Sequence, residues 1–192
     1  MNYNESELFI PIKTMLIKMG YQVAAEVPIP GWNANCDLAA ENNGITIAVE
    51  MKMSLTKHVI QQAYRNKMNA NCAYAAISTT PKNLDVAQKH GIGIISVKNG
   101  ISKIILKAEE NDLSSRWYKH YAERFKNDII RLSKLNNIGG YPQMKGEGPR
   151  IECQKRVDIY LKDNPNSTWR EIYKNVPSHY CNSHSMAGAI NK

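Results

Sequence analysis

Apolar residues recur at helical spacing through residues 5–19, where Leu8, Ile12, Met15/Leu16 and Met19 form one stripe. Asn4 suits the N-cap of that helix and Gly20 its stop. Residues 21–27 alternate like a strand until Pro28-Ile29-Pro30-Gly31 breaks the pattern. Two further β-type runs, 36–40 and 45–52, are joined by Glu41-Asn42-Asn43-Gly44. Asn-Gly between such runs predicts a tight antiparallel hairpin. Residues 56–68 return to helical spacing, with Val59, Ile60, Ala63 and Tyr64 inward. A buried strand over 73–78 follows, then a helix over 83–90 opened by Thr79-Thr80-Pro81 and stopped by Gly91. Residues 92–97 form another strand, and Asn99-Gly100 turns into a last one over 102–106. The order αβββαβαβ(β) predicts an α/β fold, a mixed sheet flanked by helices.

The strand pattern ends near Lys107, which bounds a core domain over 1–110. Residues 111–135 then read as a connecting helix with Trp117, Tyr118, Tyr121, Phe125, Ile129 and Leu132 along one side. Their helical recurrence marks a packing face rather than a platform for stacked bases. A basic, Gly-rich linker spans 136–149. The tail, 150–192, suggests three short helices, the second opened by a Thr168/Glu171 capping box. Two readings of the tail stand side by side. It is a helix-turn-helix with Asn182, Ser183, His184 and Ser185 at the start of a recognition helix, or a cap that packs Trp169, Ile172 and Tyr173 onto the core.

Composition narrows the class. The chain has 192 residues, 43% apolar and 22% charged, enough for one good core and a small appendage. No apolar stretch approaches the roughly 20 residues of a membrane span, and the first residues lack the pattern of a secretory signal. Four scattered cysteines without a CxxC pair suggest reduced thiols, and a cytoplasmic location is expected. Net charge is +8, unevenly spread: 11 Lys/Arg against 9 Asp/Glu in residues 1–111, and 14 against 8 in residues 112–192. A basic excess suits a polyanionic partner, because binding releases counterions from phosphates.

Candidate chemistry gathers at the predicted hairpin. Asp37 precedes Glu50-Met51-Lys52 by thirteen residues, and each group ends an apolar β-type run. Alternation puts Glu50 and Lys52 on one face. If the hairpin brings Asp37 opposite them, two carboxylates and an ammonium share a small volume. Carboxylate oxygens suit a hard divalent cation such as Mg²⁺. An ammonium beside it can position a water for attack on a phosphodiester. The plainer reading is a solvated Glu/Lys face on an ordinary hairpin.

These residues, with Glu5-Ser6-Glu7-Leu8, Gly20-Tyr21-Gln22-Val23 and Gln61-Gln62-Ala63-Tyr64-Arg65, resemble the PD-(D/E)XK nuclease superfamily. The order and phrasing are most similar to a little-studied bacterial group of PD-(D/E)XK-type phosphodiesterases, with a glycine-containing linker and a winged-helix-like tail. Residues 5–78 carry the likeness. The proline that names the superfamily is absent, since Cys36 precedes Asp37. The resemblance implies a restriction-endonuclease-like αβββαβ core and a Mg²⁺-dependent DNA endonuclease, with Mn²⁺ able to substitute. It implies Asp37, Glu50 and the Met51 carbonyl as metal ligands and Lys52 as the group that orients the water. Glu5, on the face of Leu8 and Ile12, would complete the shell through a water in preference to Glu7. Gln62 would touch the site or the DNA backbone. Glu5 is also favoured by the helix dipole alone, and Gln62 also suits a polar helix surface.

Lys145 and Arg150 could meet phosphate from the linker and its end, as could Asn182 and His184 from the tail. His179, Cys181 and His184 are zinc-ligand types, but their spacing is not that of a finger. The alternative to an enzyme is a DNA-binding protein on the same fold without catalysis. A homodimer is an open expectation, since cutting both strands calls for two sites.

Overall fold

The computed structural model describes residues 5–81, 84–134, 149–176, 178 and 182–190. Six strands lie side by side in chain order: β1 (Gln22–Pro28), β2 (Asn35–Asn42), β3 (Ile45–Met51), β4 (Cys72–Ile77), β5 (Gly93–Lys98) and β6 (Ile101–Leu106). β1, β2 and β3 pair antiparallel, β3, β4 and β5 run parallel, and β6 returns antiparallel. Both tight hairpins use the predicted Asn-Gly pairs. Asn43 and Gly44 have φ of 50° and 86°, and Asn99 and Gly100 have 50° and 73°. Consecutive positive φ values match the right-handed twist of the flanking strands, and Asn and Gly tolerate them best. The two parallel crossovers carry helices, α2 (Lys57–Lys67) and α3 (Leu84–Lys89).

One face of the sheet is covered by α1 (Glu5–Lys18), whose Leu8, Phe9, Ile12 and Leu16 pack with Val23, Leu38, Val49 and Met51. On the other face α2 and α3 cover β4 and β5, where Val59, Ile60, Ala63 and Ala87 meet Ala73, Ala75, Ile77 and Ile94. α4 (Arg116–Leu132) covers the β1–β2 end of that face. Its Phe125, Ile129 and Leu132 fill the hollow left by the small side chains Ala24, Ala39 and Ala48. This helix is therefore part of the sheet domain rather than a connector, and the chain divides at Met1–Tyr141 and Pro142–Lys192. It also starts later than the sequence pattern predicts, because the Asp112 carboxylate accepts from the Ser114 N–H at 2.9 Å and forms a local turn.

Two inward assignments change. Met19 is exposed past the end of α1, and Phe9 is buried instead. On α2 the buried stripe is Val59, Ile60, Ala63 and Asn66, while Tyr64 turns outward to an edge contact with His90 at 5.2 Å.

The second unit has α5 (Pro149–Asp163), α6 (Trp169–Asn175) and α7 (Ser183–Ile190). Cys153, Val157, Ile172, Val176, Met186 and Ile190 form its own core, with Trp169 and Tyr173 packed against it. The Thr168/Glu171 capping box is present. No strand occurs among this unit's described residues. Cys36, Cys72 and Cys153 are free thiols, and Cys181 lies outside the described residues. Among the described residues no helix is long and apolar enough to cross a membrane.

Candidate active site

The β2–β3 hairpin brings Asp37 and Glu50 together. Leu38 pairs with Val49, so the next positions toward the open end of the hairpin are Asp37 and Glu50. The Met51 N–H donates to Asp37 Oδ2 at 2.7 Å, which fixes that carboxylate beside the end of β3. Glu50 is 2% exposed and has two partners on α2: Asn66 Nδ2 donates to its Oε1 at 2.6 Å, and Arg65 Nη2 stands 3.8 Å from the same oxygen. Burial pushes the Glu50 pKa up to about 8, helped by the charge of Asp37 and a hydrogen bond to it; Asn66 and Arg65 act the other way. The Cys36 thiol is also raised, chiefly by burial and then by Glu50 and Asp37. Both shifts have one physical source, a negative potential held in a poorly solvated place.

A backbone irregularity crosses the sheet at this point. Ala25 pairs with Leu38 and Val27 with Cys36, leaving Glu26 opposite Asp37 in register. Glu26 has φ of 51°, a left-handed conformation unusual for a residue with a side chain. Strand phase changes on either side of it. Val23 and Ala25 pack toward α1, whereas Val27 packs with Ala24 toward α4. β2 does the same, with Leu38 and Ala40 toward α1 and Cys36 toward α4. Such a conformation costs on the order of 1–3 kcal/mol and concentrates at functional sites.

The other expected residues fall into place unequally. Lys52 is half-buried just beyond the end of β3, and its N–H donates to Ala76 O at 2.9 Å. Gln62 lies one turn before Asn66 along α2; its Oε1 is buried without a hydrogen-bond partner among the described residues. Glu5 begins α1, but its side chain lies outside the described residues, and Glu7 is exposed. Lys145, His179 and Cys181 lie outside the described residues, as does the side chain of Arg150 at the start of α5. Asn182 and His184 are exposed in the second unit, where Asn182 Oδ1 accepts from the Ser185 N–H at 2.7 Å and caps α7.

The donor set fits a hard cation. Two carboxylates buried side by side repel, and one holds a proton unless a positive charge replaces it. Asp37 and Glu50, with the Met51 carbonyl at the strand end, offer oxygen only, as Mg²⁺ prefers. Among the described residues no group of three or more His, Cys, Asp or Glu side chains gathers to hold a metal. A site with two protein carboxylates accords with the habit of Mg²⁺ to keep several waters.

The chain is similar to the SPO1766 protein of unknown function from Silicibacter pomeroyi. The likeness covers 68% of this chain and 90% of that one, at 14% identity and a TM-score of 0.49. No family model and no curated protein matches.

Three residues at the site escape the alternation pattern. Asn66 falls on the buried stripe of α2, and a polar residue at a core position is a legible sign of a site. Arg65 stands beside it, its guanidinium 5.8 Å from the Trp32 ring centre. Glu26 carries no sequence signal, because its backbone torsion is not encoded in polarity.

Proposed function

We propose that the chain is a metal-dependent DNA endonuclease or related phosphodiesterase, built on a restriction-endonuclease-like core, with Asp37, Glu50 and Lys52 as its catalytic set. The observation that carries this reading is half-buried Asp37 beside buried Glu50 at the open end of the hairpin, with Lys52 two residues beyond Glu50. Asp37, Glu50 and the Met51 carbonyl would hold Mg²⁺, for which Mn²⁺ would substitute. Such an ion would supply positive charge beside the phosphoryl oxygen and acidify a water. Lys52 would orient an attacking water in line with the departing ester oxygen and offset the charge that builds on the phosphate. The Met51 N–H keeps Asp37 in place, and Asn66 does so for Glu50. Gln62 Oε1, buried and without a described partner, is a spare acceptor for water near this edge of α2. The basic excess of residues 112–192 favours a polyanion as the substrate.

Purified full-length protein incubated with Mg²⁺ or Mn²⁺ and a panel of duplex, junction and single-stranded DNA tests the proposal. Cleavage is expected, and EDTA or Lys52→Ala abolishes it. DNA binding without metal, and no cutting of any substrate, replaces this reading with that of a non-catalytic DNA-binding protein.

A further inference from the structure

We infer that a hollow beside Arg65 takes an unpaired nucleobase of the substrate strand, an inference that rests on the nuclease reading for the phosphate next to that base. The hollow, about 420 Å³, is lined by Pro30 and Trp32 from the β1–β2 connection, Met68 and Asn69 beyond α2, and Tyr118 and Tyr121 from α4. That volume lies within the roughly 300–1,000 Å³ of small-ligand pockets. A larger hollow, about 690 Å³, includes Asn71, which bonds Thr46 at the opposite end of β3 from Glu50.

Four observations point to a base rather than an apolar side chain. Three aromatic rings line the hollow, and two of them are open to solvent, Trp32 at 49% and Tyr118 at 41%. Every nucleobase has a π-face, so aromatic rings accept it without regard to sequence. Asn69 is 2% exposed, and its Nδ2 is buried without a hydrogen-bond partner among the described residues. A side-chain amide is the natural partner for the hydrogen-bonding edge of a base. The Arg65 guanidinium joins the hollow to the carboxylates, 5.8 Å from the Trp32 ring centre and 3.8 Å from Glu50. Its Nε is likewise buried and unpartnered among the described residues, which leaves a donor for a phosphate oxygen.

The helical spacing of residues 117–125 predicts a packing face, and Phe125 obeys it. Tyr118 and Tyr121, nearer the start of α4, line the hollow instead. The substrate class that follows is DNA with a single-stranded or flipped-out nucleotide beside the scissile phosphate, not an intact duplex.

The test uses the full chain in EDTA, with labelled oligothymidylate, the same strand with abasic sites, and a blunt duplex of equal length. Fluorescence anisotropy should show the base-bearing strand binding more tightly than the abasic one. Trp32→Ala should weaken that binding about 5- to 100-fold and be largely rescued by Trp32→Phe. Tyr118→Leu gives the same loss independently if Trp32→Ala does not fold. Equal affinity for base-bearing and abasic strands, or no effect of a folded variant at Trp32 or Tyr118, overturns the inference. Metal is withheld, so the two readings fail separately. Mg²⁺-dependent cleavage without base preference leaves the nuclease and removes the pocket; base-dependent binding in a protein that never cuts does the reverse.

Discussion

Asn66 donates from Nδ2 to Glu50 Oε1 across 2.6 Å, fastening α2 to the strand that carries the candidate catalytic carboxylate. Both side chains are buried, at 1% and 2% exposed, so this polar contact is made inside the core. A helix and a strand that share a buried hydrogen bond cannot shift independently. That rigidity keeps an acidic pair in place despite its mutual repulsion.

Removing the donor leaves Glu50 buried with less support. Asn66→Ala should destabilise the protein by about 1–3 kcal/mol, read from urea denaturation. Because Asn66 lowers the Glu50 pKa, the variant should also titrate Glu50 higher than about 8. An unchanged titration by carboxyl NMR would show that the contact does not tune Glu50.

The acidic pair makes stability depend on pH. Folded Glu50 keeps its proton to about 8, whereas an unfolded glutamate loses it near 4.5. Between these values the folded state binds more protons, so this group's contribution to metal-free stability falls as pH rises, then levels off. Buried Asp128, raised chiefly by desolvation against the pull of Arg131, adds a slope of the same sign. Glu50→Gln isolates the first group. Its amide can donate to Asp37 while its oxygen still accepts from Asn66. At pH 8 without metal the variant should be more stable than the native chain by on the order of 2 kcal/mol, with a shallower dependence on pH in thermal unfolding. If Mg²⁺ binds as proposed, the variant should also lack the stabilisation by Mg²⁺ expected of the native chain, about 2.7 kcal/mol at a hundred times Kd.

The hairpin was legible because Asn43-Gly44 answers a specific need, two positive φ values in succession, and β-type runs flank it. The order of elements along the chain was legible too, whereas the lateral order of the six strands is seen only in the structure. What polarity cannot convey is torsion. Regular alternation would put Val23, Ala25 and Val27 on one face, yet the left-handed turn at Glu26 sends Val27 to the other side of the sheet. What α4 packs against is hidden in the sequence for a related reason. Its apolar stripe is plain, but only the row of alanines on β1, β2 and β3 shows that the stripe fills a hollow in the sheet. Asn66 and Arg65 depend on which edge of α2 meets Glu50, a tertiary fact that helical spacing narrows without fixing.

A change on β5, two strands from the one that carries Glu50, serves as a control. A Cβ at Gly93 would press on the Tyr74 ring and come within 2.7 Å of the Ala108 backbone nitrogen. The backbone atom cannot move aside cheaply. Gly93→Ala should cost about 1–3 kcal/mol by overpacking, read from urea denaturation, while Mg²⁺ affinity of the folded fraction stays unchanged. A parallel loss of metal binding would mean that β5 and the site are coupled.

Asp37→Asn separates charge from shape. The asparagine oxygen still accepts from the Met51 N–H, so the strand end should keep its form. The charge is gone, and after burial it is the largest influence holding the Glu50 pKa up. Glu50 should therefore titrate lower in the variant than in the native chain, by carboxyl NMR. A cation that needs both carboxylates should no longer bind, so calorimetry with Mg²⁺ should show no saturable heat. Cleavage should fall by at least about 100-fold, while salt-sensitive DNA binding persists. Unchanged Mg²⁺ binding in this variant would place the cation elsewhere and remove Asp37 from the catalytic set.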